Sequence, residues 1–350
     1  MAQPFPQRTL GPNGPSVSAI GLGAGAISGK FYGASQGDNE MLSYAADRGV
    51  TFWDTSDFYG TSEEIIGEWF AKTGRRSSIF LATKFGLIDQ GDGKDPKFCS
   101  SPSHVRESVH KSLKALQTTY IDLYYQHRVD PAVPIEVVLE TLRPFVDSGV
   151  IKYLGLSECS AATLRRAKAV PGIGSKVVAV QMEYSPFELG IERNGLLEAA
   201  KELGVGVVAY SPLGRGLITG RFKSPDDLDP DDLRRLFPRF SREDFPKTLA
   251  LVDKFETISA KYDGATSSQI ALAWILAQHP YLIPIPGSRA TSRLSENAGA
   301  AEIQLDAEDA KVLREYVEKA DVVDGARNVV PPQEDCIELA AWTEESKDRA

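Results

Sequence analysis

Eight short, strongly apolar runs recur along this chain, and helix-length segments separate most neighbours. The runs are residues 19–22, 51–54, 79–83, 121–126, 153–156, 177–182, 205–209 and 282–285. They are rich in β-branched and aromatic residues and too short for helices, so they suit buried strands. The intervening helices are expected at 39–48, 63–72, 103–116, 135–148, 161–170 and 195–203, with two, 246–262 and 267–279, before the last strand. Asp38 is the expected N-cap of the first helix, and Gly49 its stop. Strands buried on both faces and alternating with helices form a parallel sheet covered by helices. Eight such units imply an α/β fold of the closed (β/α)8 kind, with a doubly wound sheet as the alternative.

A Gly-Pro-Asn-Gly-Pro turn between two β-like runs, within residues 8–20, reads as an N-terminal β-hairpin. Residues 214–245 form a long proline-containing connection, and residues 320–350 a tail without clear periodicity; either could cover the ligand face. No linker divides the chain, so residues 1–350 read as one domain, with the barrel over about 8–318.

With 350 residues, 42% hydrophobic and 25% charged, the composition is that of an ordinary globular protein. A net charge of -9 argues against a generic nucleic-acid binder but allows a local basic pocket. Cys99, Cys159 and Cys336 form neither a metal-ligand spacing nor a disulfide framework. The start of the chain lacks an apolar signal core, and the most apolar helical run, 271–277, is too short to span a bilayer. A cytoplasmic protein without a metal, nucleic-acid or membrane partner is expected.

Polar residues mark the ends of successive runs. Asp54 ends the second, with Tyr59 on the loop beyond and Ser62-Glu63-Glu64 opening a helix in capping style. Lys84 ends the third and His127 the fourth. Ser157 and Glu158, Gln181 and Glu183, and Tyr210 and Ser211 follow at the next three. In a barrel these ends converge on one mouth. A buried lysine needs a counter-ion, and Asp54 is the best placed. A phenol is ordinarily a poor acid at neutral pH; a neighbouring ammonium that donates to it stabilises the phenolate. Lys84 held by Asp54 would make Tyr59 a usable general acid, with His127 polarising the same oxygen. That apparatus suits a carbonyl that takes a proton on oxygen while hydride arrives from a cofactor at carbon.

The glycines at 21, 23 and 25 do not complete a dinucleotide fingerprint, because Ala26 stands where the last glycine belongs. They mark a strand end at which backbone must approach a ligand or a neighbouring loop closely, and Gly23 is taken as a cofactor contact.

With F-W-D-T-S-D-F-Y-G, A-T-K-F-G, I-D-L-Y-Y-Q-H-R, V-Q-M-E-Y-S-P, A-Y-S-P-L-G-R-G and I-P-I-P-G-S-R in place, the chain resembles the aldo-keto reductases, in particular their microbial and plant branch with broad aldehyde substrates. The resemblance runs from the hairpin to about residue 305. It implies a TIM barrel and NADPH-dependent reduction of small aldehydes and ketones. It maps the family's catalytic tetrad onto Asp54, Tyr59, Lys84 and His127. It implies that Ser157 and Gln181 hold the nicotinamide carboxamide and that Tyr210 stacks on the ring. Ser211, Leu213, Gly214, Arg215 and Gly216 would embrace the pyrophosphate. Ser288, Arg289, Arg293 and Asn297 would hold the adenosine end. Glu158 stands where many members carry asparagine. Gly287 stands where some carry lysine, so one cationic phosphate contact is either missing or supplied by Arg289. Pocket walls would come from loops and tail, including Phe31, Phe58, Phe85 and Phe187.

Thr291, read as a cap, opens a helix carrying Arg293, Glu296 and Asn297. Barrels often bind phosphate at such a helix N-terminus, and two arginines beside it suit a 2′-phosphate. NADPH is therefore expected over NADH. Two other readings fit a barrel with these residues. One is a cofactor-retaining regulatory subunit resembling potassium-channel β subunits, which argues less well with an intact tetrad and no N-terminal inactivating peptide. The other is an isomerase or aldolase using Lys84 as a Schiff base, which leaves the phosphate apparatus near Arg293 unexplained.

Overall fold

The computed structural model describes residues 4–28, 38–91, 96–230, 232–320 and 335–342. Phe31 lies outside them. Eight parallel strands form one sheet: β1 (Leu22–Gly23), β2 (Phe52–Asp54), β3 (Phe80–Phe85), β4 (Ile121–Gln126), β5 (Ile151–Ser157), β6 (Val177–Glu183), β7 (Gly206–Tyr210) and β8 (Leu282–Pro284). Each pairs with its sequence neighbour. The ends of the sheet meet: Gly21 N–H donates to Pro284 O over 2.9 Å, and Gly23 N–H to Pro286 O over 3.1 Å. The fold is therefore a closed (β/α)8 barrel.

Glycine is needed at this seam. A Cβ on Gly23 would sit 2.7 Å from Ile285 O. The close approach expected at Gly23 is thus met by the backbone that follows β8. The first barrel strand also begins later than expected. Residues 19–22 were expected, but Ala19 N–H bonds Pro6 O beside the hairpin, and the barrel strand begins at Leu22.

Apart from the single turn Gly190–Arg193, the α-helices among the described residues are α1 (Asp38–Arg48), α2 (Ser62–Thr73), α3 (Pro102–Ala115), α4 (Ile135–Asp147), α5 (Ala161–Ala169), α6 (Leu196–Glu202), α7 (Phe245–Ser259), α8 (Ser267–Gln278), α9 (Thr291–Gly299) and α10 (Ala307–Ala320). Asp38 is the first residue of α1 rather than its cap. Ser62 likewise lies inside α2, where its hydroxyl donates to Ala24 O and pairs with Thr55 Oγ1. Thr291 is the first residue of α9, whose N-cap is Ala290 without any side-chain cap bond.

The hairpin Gln7–Thr9 with Ser16–Ser18 seals the barrel end opposite the strand C-termini. Its Leu10 and Val17 join Phe52, Ala82, Leu123, Tyr125, Val208 and Ile283 in the interior cluster. Arg8 fastens it by donating to the carbonyls of Leu276, His279 and Leu282. The described part of the tail runs beside α4 and α5: Ile337 N–H donates to Pro131 O over 3.0 Å, and Arg166 to the carbonyls of Cys336 and Ile337.

Candidate active site

Alternation along each strand decides which side chains face the barrel axis. In β2, Phe52 points in, Trp53 packs outward on Trp69 with ring centroids 4.8 Å apart, and Asp54 returns inward. In β3, Ala82 is interior, Thr83 donates to Glu63 of α2, and Lys84 is interior. In β4, Leu123 and Tyr125 are interior, and His127 continues that face one residue beyond the strand. Phe85 consequently points outward, stacked on Tyr124 at 5.1 Å. It cannot wall the pocket as expected. Phe58 does sit by the mouth, its ring 6.5 Å from that of His127. Phe187 lies against Gly214, where a Cβ would be 2.4 Å from its ring.

The strand ends bring four of these groups together. Lys84 Nζ donates to Asp54 Oδ1 over 2.5 Å and to Thr55 O over 2.7 Å. The pair is shut away from solvent, with Lys84 at 0% and Asp54 at 2% exposure. Burial alone would push the ammonium down. Asp54, and a hydrogen bond with Tyr59, outweigh it and hold Lys84 above its ordinary value. The ammonium stands 4.8 Å from the Tyr59 ring centroid. His127 sets its edge to the same ring, centroids 5.6 Å apart and planes at 82°. Burial, then the charges of Lys84 and Arg128, hold the imidazole well below its usual value, so it is neutral.

Gln181, on β6, donates from Nε2 to Asp54 Oδ2 over 2.7 Å. Ser157 is buried beside Arg128, whose guanidinium reaches its hydroxyl at 3.5 Å. Glu158 adopts a left-handed backbone with φ 53 and accepts the Glu183 N–H on Oε1 over 3.1 Å. Tyr210 ends β7, and Ser211 just beyond it has φ 49. Gly214, Arg215 and Gly216 have φ of 57, 58 and 91, a run of left-handed backbone next to Leu213.

The Arg215 guanidinium has protein partners of its own. It pairs with Glu183 at 3.4 Å and lies 4.3 Å over Phe237. Arg239 holds the other oxygen of Glu183 at 3.4 Å and reaches Glu188 at 3.6 Å. The connection after β7 is therefore a chain of 3-10 turns fastened to the end of β6. At the far side of the mouth, Asn297 donates to Ser288 over 3.1 Å, both buried. Arg289 and Arg293 are exposed, and Arg293 pairs with Glu296 at 2.7 Å.

Ser56, Arg128 and Arg239 were not singled out from sequence. The Ser56 hydroxyl lies 3.0 Å from His127 Nδ1, on a loop whose sequence does not announce the contact. Nothing local marks Arg239, whose partner is 56 residues away.

A barrel with a buried lysine–aspartate pair under a tyrosine and a neutral histidine defines a class before any name is attached. The sequence profile of the Aldo/keto reductase family matches residues 19–318, and the chain belongs to that family. An aldo-keto reductase of Strobilurus tenacellus is 48% identical over 93% of this chain and 95% of its own length. One of Schizosaccharomyces pombe, whose name specifies NADP(+), is 44% identical over 92% and 94%. Among solved structures, a glycerol dehydrogenase of Gluconobacter oxydans has a TM-score of 0.80 at 28% identity, covering 93% of this chain and 98% of its own. An aldo-keto reductase of Bacillus halodurans in holo form has a TM-score of 0.73 at 24% identity, covering 92% and 98%, and shares the fold. Among the described residues, no helix is long and apolar enough to cross a membrane, and no group of three His, Cys, Asp or Glu could hold a metal ion.

Proposed function

We propose that this protein reduces small aldehydes and ketones with NADPH and that Tyr59 gives the proton. The observation that carries this reading is the Lys84 ammonium, buried, held by Asp54 at 2.5 Å and placed 4.8 Å from the Tyr59 ring. When bound, the nicotinamide supplies hydride to the carbonyl carbon. Tyr59 then passes its hydroxyl proton to the carbonyl oxygen, and Lys84 faces the negative charge left on the phenolate. His127, neutral, hydrogen-bonds that same oxygen. Asp54 keeps the ammonium in place and charged.

The chain's residues fit the cofactor's chemistry. The left-handed run 214–216 turns the backbone sharply after β7, where a pyrophosphate would lie against it, and the turn is braced by the N–H groups of Gly214 and Gly216, which donate to Ser211 O and Leu213 O over 2.9 and 3.0 Å. The first turn of α9 has free N–H groups, because Ala290 offers no capping side chain, and Arg289 and Arg293 flank it. That arrangement favours a 2′-phosphate, and the naming of the fission-yeast relative for NADP(+) points the same way. A Schiff-base role for Lys84 fits poorly, since an ammonium already donating to Asp54 and Thr55 has no lone pair to attack with.

Mixing the protein with NADPH and a panel of aldehydes tests the reading. The nicotinamide absorbance should fall with wild type. Tyr59→Phe should bind NADPH as before and turn over at least about 10²-fold more slowly. Cofactor binding without turnover on any aldehyde would favour the regulatory-subunit reading instead.

A further inference from the structure

Ser56 stands between His127 and Asp57. Its Oγ lies 3.0 Å from His127 Nδ1 and 3.4 Å from Asp57 Oδ1, and it accepts the Phe58 N–H over 3.1 Å. The hydroxyl has one hydrogen and two acceptors within reach. A neutral imidazole carries a hydrogen on one nitrogen only. Two arrangements satisfy every group. In the first, Ser56 donates to Nδ1, and the His127 hydrogen sits on Nε2. In the second, Ser56 donates to Asp57, Nδ1–H donates to Ser56, and Nε2 is bare. A carboxylate attracts a hydrogen bond about twice as strongly as a neutral acceptor. The charge on Asp57 therefore selects between the two, while a neutral Asp57 leaves the nearer Nδ1 as the better acceptor.

We infer that Ser56 is a positioning residue through which Asp57 sets the tautomer of His127, presenting Nε2–H for carbonyl reduction when Asp57 is neutral and a bare Nε2 for alcohol oxidation when Asp57 is ionised. This rests on the function proposed above. Nε2–H donates to a carbonyl oxygen; a bare Nε2 accepts from an alcohol hydroxyl. The exchange balances: Asp57 releases one proton to solvent, Ser56 turns its hydroxyl, and His127 gives up a hydrogen at Nε2 and gains one at Nδ1.

Asp57 is faced by Glu63 from α2, Lys84 from β3, Lys111 from α3 and Tyr124 from β4. Burial and Glu63 push its carboxyl up to about 8, against the opposite pull of Ser56, Lys84 and Lys111. The change of tautomer is thus placed in the mildly alkaline range. His127 itself is faced by Tyr59, Lys84 and Arg128, and burial together with the two cations keeps it from protonating there.

The test is nitrogen-15 NMR of the full chain labelled at histidine. The protein has 4 histidines, and His127→Asn assigns the signal of interest. Wild type should pass from mainly Nε2–H to mainly Nδ1–H as pH rises through about 8. Asp57→Asn should hold Nε2–H throughout. Ser56→Ala should lose the pH response, and Ser56→Thr, which keeps the hydroxyl, should restore it. A single tautomer in wild type across that range overturns the inference, as does a wild-type midpoint retained in Asp57→Asn. The spectra need no substrate, so a protein that reduces no carbonyl would defeat the proposed function and leave the tautomer result to be read by itself.

Discussion

Gln181 Nε2 donates to Asp54 Oδ2 over 2.7 Å, on the carboxylate oxygen that Lys84 leaves free. A carboxylate only accepts, so the contact fixes which end of the Gln181 amide faces it. The nitrogen is taken, and Oε1 is the end left to accept from a carboxamide. One side chain on β6 thereby supports the Lys84–Asp54 pair on β3 and β2.

Gln181→Met keeps the length and removes the donor. A hydrogen bond to a charged group contributes about 1.5–3 kcal/mol. Urea unfolding should show a loss in that range, and reductase turnover should fall with it. A loss under about 0.5 kcal/mol would mean that Lys84 holds Asp54 in place without help from Gln181.

Lys84→Met leaves the Asp54 carboxylate buried at 2% exposure without its cation. Breaking a buried pair from one side costs about 3–5 kcal/mol. The variant should unfold at lower urea and lose reduction, because nothing then faces the charge on Tyr59. Comparing pH–rate profiles for reduction and oxidation separates the two effects. Profiles of unchanged shape would remove Lys84 from the proton transfer and leave it a purely structural role.

Much of this was legible in the chain because alternation is a local rule. Ile121–Gln126 has the same bounds in sequence and structure, and the inward positions of Asp54, Lys84 and His127 follow from counting by two. What was not legible lies across the barrel. Ser56 meets His127 from 71 residues away, and Glu183 gathers Arg215 and Arg239 from a connection whose turns carry no period. Cap assignments at Ser62 and Thr291 failed for a related reason. Ser62 bonds Ala24 O in another loop, and α9 starts after an alanine. Phe85 looked like a pocket wall because its loop was visible and its strand's last residue was not.

Glu63 gives stability a pH dependence with a definite sign. Burial pushes its carboxyl up to about 7, with Thr83 and Ser112 pulling down and Glu64 pushing up. Unfolded, it loses its proton near 4.5. Between those values the folded protein binds the extra proton, so stability falls as pH rises. This group contributes a slope of up to about 1.4 kcal/mol per pH unit in that window. Asp57, raised to about 8, adds to the fall in the same direction. Glu63→Gln should make stability from chemical unfolding less steep between about pH 5 and 7. An unaltered slope would show that Glu63 is ionised in the folded state.

Arg293 is the residue proposed to meet the 2′-phosphate of the cofactor. Its guanidinium pairs with Glu296 at 2.7 Å and is 62% exposed, while Glu296 also accepts from Thr266 over 2.7 Å. To grip a 2′-phosphate, Arg293 must leave that carboxylate or share it. An exposed pair is worth about 0–1 kcal/mol, and a charge-assisted contact about 1.5–3 kcal/mol, so the phosphate wins by a reduced margin. Arg293→Ala should therefore weaken NADPH by about tenfold, toward the lower end of what an unpaired arginine would supply, and leave NADH nearly untouched. Glu296→Gln removes the competitor and should tighten NADPH a few-fold with the same indifference in NADH. Titrating both cofactors against wild type and the two variants decides the matter. Equal losses for NADPH and NADH in Arg293→Ala would place the 2′-phosphate elsewhere, and the exposed Arg289 at the same helix start would be the next residue to replace.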